Sequence, residues 1–157
     1  MKKIPLSQGK AALVDQDDYG YLSQFKWKFS DGYAKRTVYL GGGRAKPRYK
    51  TVSMHRLLAD CPNGKEVDHI NGNGLDNRKK NLRVCTHAQN MKNQGIRKNN
   101  TTGVKGVCRK RNKFIANIWL KGKLKHLGTF EKKHDAAQAR REAERKYHGE
   151  FARLDER

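Results

Sequence analysis

The most informative stretch of this sequence is EVDHINGNGLDNRKKNLRVCTHAQNMKN, residues 66–93. It starts with a strand pattern over residues 66–70, crosses a polar loop and enters a second strand pattern over 81–85. Thr86 is a favourable N-cap for a helix over residues 87–93. The spacing therefore predicts a strand, a long loop, a second strand and a helix as one unit.

This unit gathers five side chains suited to phosphodiester hydrolysis: Asp68, His69, Asn81, His87 and Asn90. Hydrolysis needs a base that is neutral near pH 7, which histidine supplies, and a hard cation beside the phosphate. Carboxylate and amide oxygens such as those of Asp68 and Asn90 favour Mg²⁺ over Zn²⁺. Adjacent strand residues point to opposite faces, so Asp68 and His69 can serve one site only if the strand ends or kinks there.

Four short motifs in and around this unit resemble the HNH endonuclease motif in its His-Asn-Asn form, found in phage and intron homing endonucleases. They are Asp68–Asn73 (DHINGN), Asp76–Arg78 (DNR), Asn81–Arg83 (NLR) and Ala88–Asn90 (AQN). The resemblance spans about residues 52–95. It implies the ββα-metal fold of that family.

The HNH resemblance also implies a role for each matching residue. His69 would be the general base, and Asn81 would orient it through a hydrogen bond between loops. Asp68 and Asn90 would be metal ligands for Mg²⁺, with Mn²⁺ as a substitute. His87, one helical turn before Asn90, either helps to hold the metal or faces solvent.

The last third of the chain shows strand patterns over residues 103–110, 113–120 and 124–130, followed by a helix pattern over 135–147. The segment 102–154 is similar to the AP2 DNA-binding domain. The matching motifs are GVKGV (103–107), FIANI (114–118), LGTF (127–130), AA (136–137) and YHGEFA (147–152). The resemblance implies a three-stranded antiparallel sheet packed on one helix and laid against DNA.

Two positions depart from the plant AP2 pattern, where an Arg-rich first strand and a Trp before Leu-Gly are usual. Here those places hold Cys108 and His126, so the plant base-reading pattern is not transferable. The side chains that we expect to contact DNA are Arg109, Arg111, Lys113, Asn117, Trp119, Lys121, Lys123 and Lys125.

Charge points to the same class of partner. The formal net charge is +21 over 157 residues, and residues 77–130 contain 15 Lys+Arg without one Asp or Glu. Such a one-sign stretch, interleaved with apolar side chains, indicates a polyanion such as nucleic acid.

No apolar run approaches the ~18 residues of a membrane span and no secretory signal is visible, so we expect a cytoplasmic protein of the host cell. The three cysteines form no CxxC pair, which leaves zinc without support.

We therefore predict an α+β chain with three parts: a β-rich segment over residues 1–50, a nuclease module over 51–98 and an AP2-like domain over 99–157. In the first part we expect an acidic turn over 15–18 and a strand over 25–29. It shows no catalytic pattern, and either supports the fold or contacts the DNA backbone. A helix predicted over residues 52–59 carries His55, which is either a packing or phosphate-contacting residue or a further catalytic one.

The predicted function is a Mg²⁺-dependent HNH homing-type endonuclease acting on double-stranded DNA, with no small-molecule cofactor and no membrane partner. One alternative is a non-catalytic AP2-type DNA-binding regulator with a decayed nuclease module. A second is a basic RNA-binding protein, which explains the charge but not the spacing of the strands and helix.

Overall fold

The computed structural model describes residues 1–96 and 99–153. They form two compact units, residues 1–90 and the chain from residue 91 onward. The expected mixture of small antiparallel sheets and few helices is confirmed. The predicted boundary at residue 98 and the last four residues of the predicted AP2-like part lie outside the described residues.

The first unit contains seven strands in three antiparallel sheets, ordered β1-β2, β3-β4-β5 and β6-β7. The strands are β1 (Lys2–Pro5), β2 (Ala11–Val14), β3 (Lys28–Ser30), β4 (Tyr33–Tyr39), β5 (Tyr49–Ser53), β6 (Glu66–His69) and β7 (Leu82–Cys85). The helices are α1 (Gln16–Leu22), α2 (Met54–Leu58) and α3 (His87–Asn93), the last of which crosses the boundary at residue 90.

One hydrophobic core joins residues on both sides of residue 50. Ile4, Val14 and Leu22 from the N-terminal segment pack with Met54 of α2, and all four are at most 2% exposed. Each such side chain stabilises the fold by roughly 1.5–3 kcal/mol through burial. The backbone of β2 also pairs with the loop after β6: the Leu13 amide donates to Leu75 (2.8 Å), and the Asn77 amide donates to Leu13 (2.8 Å). The β-rich segment and residues 51–90 therefore form one compact unit.

The structure corrects three local predictions in the first unit, one in its type and two in their starting residues. The acidic stretch over residues 15–18 is not a turn: it provides the N-cap and first turn of α1, where negative charge favours the helix dipole. The predicted strand over 25–29 begins only at Lys28, because the Trp27 side chain is buried and donates its indole N–H to the Leu22 carbonyl. The predicted helix over 52–59 begins at Met54, because residues 49–53 pair with β4 as β5.

The second unit is a three-stranded antiparallel sheet with one long helix packed against it. Strands β8 (Val107–Lys110), β9 (Lys113–Leu120) and β10 (Lys123–Phe130) are ordered β10-β9-β8, and the helix is α4 (Lys133–His148). Its small core consists of Val107, Ala116 and Ala136. Gly106 has φ +72°, and a Cβ there would lie 2.6 Å from the Asn117 carbonyl oxygen, so this close approach requires glycine.

Among the helices that the structure describes, none is long and apolar enough to cross a membrane.

Candidate functional site

The strand pair β6-β7 places Asp68 opposite Arg83. The Arg83 Nη2 and Nε atoms both donate to Asp68 Oδ2, at 2.6 and 2.8 Å. Asp68 is only 5% exposed, so the pair is held largely away from water. Charge-assisted hydrogen bonds of this length are among the stronger side-chain contacts in proteins. The carboxylate of the predicted metal ligand is therefore neutralised by an internal cation.

Glu66, which the sequence argument did not single out, lies on the same face of β6 as Asp68 because the two residues are two positions apart. Its Oε2 atom accepts a hydrogen bond from Asn90 Nδ2 (2.7 Å), and its Oε1 atom lies 2.8 Å from His87 Nδ1. The Asn90 and His87 contacts hold the pKa of the Glu66 carboxyl below its ordinary value. The i, i+2 spacing before Asp68 is the sequence signal that could have identified this residue.

Asn90 is thus held against β6 by its amide nitrogen. This contact leaves the amide oxygen on the other arm of the side chain as the atom suited to bind a metal ion. Asp68, Glu66 and Asn90 therefore belong to one side of β6, the side on which α3 lies.

His69 is the last residue of β6 and belongs to the opposite face of that strand. Its ring lies against two aromatic rings from other elements, with centroid distances of 5.2 Å to His55 and 5.8 Å to Tyr33. The Tyr33 and His55 rings are themselves 5.0 Å apart. Asp68 and His69 are thus adjacent at a strand end but have different neighbours. His55, for which the sequence left a packing, phosphate-contacting or catalytic role open, lies directly beside the predicted base.

The surroundings of the two histidines lower both of their pKa values. Burial lowers the pKa of His69, while the Asn77 side chain and the charges of Asp68 and Asp76 act in the opposite direction. Burial, followed by the positive charge of His69, lowers the pKa of His55 to about 4. Both imidazoles are therefore mainly neutral at pH 7, which is the form that accepts a proton.

Asn81 connects the two ends of the loop that follows His69. Its Oδ1 atom accepts from the Asn71 backbone amide (3.0 Å), and its Nδ2 atom donates to the Asn71 Oδ1 atom (3.0 Å) and the Asp76 carbonyl (2.8 Å). The Ile70 amide, next to His69, donates to the Asn81 carbonyl (2.9 Å). These bonds hold the backbone on the C-terminal side of His69.

Asp76 lies in the same loop and carries its own counterion. It is 2% exposed and accepts from Arg78 Nε and Nη2 at 2.7 and 2.6 Å. These Arg78 hydrogen bonds lower the pKa of the Asp76 carboxyl.

In the described part of the chain, no three His, Cys, Asp or Glu side chains lie close enough together to hold a metal ion. A metal bound at Asp68 and Asn90 would take most of its ligands from water and phosphate. Mg²⁺ is commonly held in this way.

The sheet of the second unit has one face covered by α4 and one open face. Lys113, Asn117 and Trp119 alternate with the buried Ala116 and Ile118 along β9, so they belong to the open face. Trp119 is 65% exposed, and its neighbour across the strands, Leu124, is 54% exposed. This exposed aromatic and aliphatic pair lies near the end of the β9-β10 hairpin, close to the basic turn residue Lys121.

The remaining predicted DNA contacts divide into two groups. Arg111 and Lys121 lie in the hairpin turns, with φ of 54° and 49°. Arg109, Lys123 and Lys125 are in register with helix-facing residues of β9, and Lys125 Nζ donates to the Tyr147 hydroxyl of α4 (2.9 Å). The register also adds three open-face residues that the sequence argument left out: Lys110, Leu124 and His126.

Comparisons with known proteins show what this chain is similar to. A family model described as HNH endonuclease matches residues 59–92. Protein 3.8 of Escherichia phage T7 is 32% identical over 110 residues, which cover 69% of this chain and 90% of that protein. An uncharacterized HNH endonuclease of Acanthamoeba polyphaga mimivirus is 27% identical over 153 residues, which cover 92% of this chain and 74% of that protein. No solved structure matches the chain.

Proposed function

We propose that the chain, which matches the HNH endonuclease family model over residues 59–92, is a metal-dependent endonuclease of the homing type that hydrolyses phosphodiester bonds in double-stranded DNA. One observation carries the proposal. A buried histidine of lowered pKa, His69, directly follows a buried carboxylate, Asp68, at the end of β6.

His69 is the proposed general base. Its lowered pKa keeps the imidazole neutral at pH 7, so it accepts the proton of the attacking water. The negative charges of Asp68 and Asp76 then stabilise the imidazolium that forms. Asn81 acts as a positioning residue, because its bonds to Asn71 and Asp76 fix the loop that leaves His69.

Access to the base is controlled by the aromatic side chains around it. His69 is 5% exposed, whereas Tyr33 beside it is 37% exposed. A phosphate therefore reaches His69 only after a local movement, and Tyr33 is the side chain at the rim that must move. A site of this kind keeps the base away from solvent until DNA is bound.

Asp68 and Asn90 are the proposed metal ligands, with Mg²⁺ as the cofactor and Mn²⁺ as a substitute. The donor set fits, because both side chains offer hard oxygen atoms on one side of β6. Asp68 already attracts a positive group, the Arg83 guanidinium. A divalent cation bound there would stabilise charge on the scissile phosphate and the departing 3′-oxygen, which leaves 5′-phosphate and 3′-hydroxyl ends.

Residues 51–98 are the proposed nuclease module, supported by the β-rich segment 1–50 that shares its core. The segment 99–157 is the proposed AP2-like DNA anchor. Its open sheet face offers Lys113, Asn117 and Trp119 to the duplex, with Arg111 and Lys121 in the flanking turns. In this proposal the catalytic residues belong to the nuclease module, and the DNA-binding residues belong to the AP2-like segment.

Supercoiled plasmid DNA provides the direct test. We expect the protein to nick the plasmid in Mg²⁺, to stop in EDTA and to resume when Mg²⁺ is restored. The matched control is His134→Ala, which removes an exposed histidine of α4 and should nick like the wild type, whereas His69→Ala should not. Tight DNA binding without any metal-dependent nicking would favour the alternative, a non-catalytic DNA-binding regulator.

A further inference from the structure

The hairpin formed by β4 and β5 belongs to an acid-free segment that the nuclease reaction does not use. Residues 32–59 contain seven Lys+Arg and no Asp or Glu. The tip of the hairpin, residues 40–48, carries Arg44, Lys46 and Arg48 on exposed backbone. Within the described residues, none of these three cations forms an ion pair with an acid.

The two faces of this hairpin differ in their surroundings. Ala34 and Arg36 belong to the inner face: Ala34 is fully buried, and the Arg36 guanidinium lies 3.8 Å from the Phe25 ring centre. The alternate residues form the outer face. We call it the tyrosine face, and its members are Tyr33, Lys35, Thr37 and Tyr39 of β4 with Tyr49 and Thr51 of β5.

The far end of the tyrosine face exposes aromatic surface that the core does not need. Tyr39 and Tyr49 are direct neighbours across the strands, with ring centroids 5.5 Å apart. They are 54% and 62% exposed. The Gly43 amide donates to the Tyr39 hydroxyl oxygen (3.1 Å), which joins the tip to this aromatic pair. Aromatic side chains beside unpaired cations are the combination that binds nucleic acid.

The near end of the same face lies at the catalytic histidine. Tyr33 begins β4 and contacts both His69 and His55. Tyr33 and Tyr39 are six positions apart, which is about 20 Å along a strand. A DNA strand advances about 3.4 Å per nucleotide, so the face extends about six base pairs from the site of cleavage.

We propose that the tyrosine face and the hairpin tip bind the backbone of the duplex on one side of the cleaved bond, over about six base pairs. Arg44 and Lys46 contact phosphates, and Tyr39 and Tyr49 pack against the sugars. Duplex DNA is the partner because the surface is continuous with His69, the proposed general base, and because residues 32–59 contain no acid that would repel phosphates. This inference rests on the proposed nuclease function.

The test compares variants that remove exposed side chains from this surface and from elsewhere in the same unit. Arg44→Gln/Lys46→Gln removes two charges at the tip, and Tyr39→Ala/Tyr49→Ala removes the aromatic pair. The matched control, Lys3→Gln/Lys10→Gln, removes two exposed charges from outside this surface. All these side chains are exposed, so the variants should fold, which circular dichroism would verify.

Binding to a 30-base-pair duplex is measured in EDTA at several salt concentrations, together with hydroxyl-radical protection around the mapped nick. Arg44→Gln/Lys46→Gln should reduce the slope of log K against log salt by up to about 1.8, from about 0.9 per phosphate contact. Both surface variants should lose protection about six base pairs from the nick. The control should keep both the salt slope and the protection of the wild type.

Equal slopes and equal protection in the Arg44→Gln/Lys46→Gln variant and the control would overturn the inference, even if the wild type nicks plasmid. Stronger competition by an RNA duplex of the same length would overturn the choice of DNA. A wild type that binds the duplex but does not nick plasmid would refute the nuclease function, while the slope comparison would still decide whether this surface binds DNA.

Discussion

Replacing His55 by phenylalanine should make the first unit less sensitive to acid. His55 contacts Tyr33 and His69, and burial lowers its pKa to about 4. In the unfolded chain the imidazole titrates near 6.5. Between these two values the unfolded chain binds a proton that the folded protein does not bind. The free energy of unfolding must therefore fall as the pH falls from about 6.5 to about 4.

The size of this effect follows from the two pKa values. Each pH unit over which only the unfolded chain is protonated lowers the free energy of unfolding by at most about 1.36 kcal/mol. The wild type should therefore lose about 3 kcal/mol through His55 between pH 7 and pH 4. Phenylalanine binds no proton, so the free energy of unfolding of His55→Phe should fall by about 3 kcal/mol less than that of the wild type between pH 7 and pH 4. His69 also titrates, but it is present in both proteins.

Trp27 provides the signal for this measurement, because it is 4% exposed in the core of the first unit. Both proteins should carry Trp119→Phe, which removes the only other tryptophan of the chain. Urea unfolding is followed by Trp27 fluorescence at pH 7, 6, 5 and 4. His134→Phe is the control: its side chain is 78% exposed, so its stability should follow that of the wild type.

A difference between wild type and His55→Phe that stays constant from pH 7 to pH 4 would refute the reasoning. It would mean that His55 is solvated enough to titrate normally in the folded protein. If the pH dependence of the free energy of unfolding changes equally in His134→Phe and His55→Phe, the effect comes from replacing any histidine and not from the burial of His55.

Three further predictions concern cleavage and binding. His69→Ala should lower the cleavage rate by roughly 10²–10⁴-fold at unchanged DNA affinity, as measured by single-turnover nicking and by gel shift. Asp68→Ala and Asn90→Ala should each raise the Mg²⁺ concentration needed for half-maximal nicking, and activity restored by zinc alone would contradict the assignment of a hard cation. Lys113→Gln/Lys121→Gln should reduce the salt slope of duplex binding by up to about 1.8 without changing the rate of nicking at saturating DNA, and an unchanged slope would remove these residues from the interface.

The region around the nuclease site could be predicted closely from the sequence. The N-cap Thr86, the alternating strand patterns and the long polar loop are local features, and local propensity is enough to place β6, β7 and α3. The same holds for β9, whose alternation of Ala116 and Ile118 with polar residues shows which face is covered. Charge alone indicated a nucleic-acid partner, since it depends only on composition.

The neighbours of each site residue were decided by tertiary structure. The pairing of Asp68 with Arg83, the contact of Asn90 with Glu66 and the edge-to-face contact of His69 with His55 join residues that are 14 to 24 positions apart in the chain. Strand register and helix packing set these contacts, and neither is encoded in a short window. For the same reason the acidic stretch at 15–18 was misread, because its helix is stabilised by the packing of Leu22 in the core. Local motifs in the sequence indicated the candidate groups for the chemistry, whereas the fold set their partners, because burial and long-range contacts depend on the whole chain.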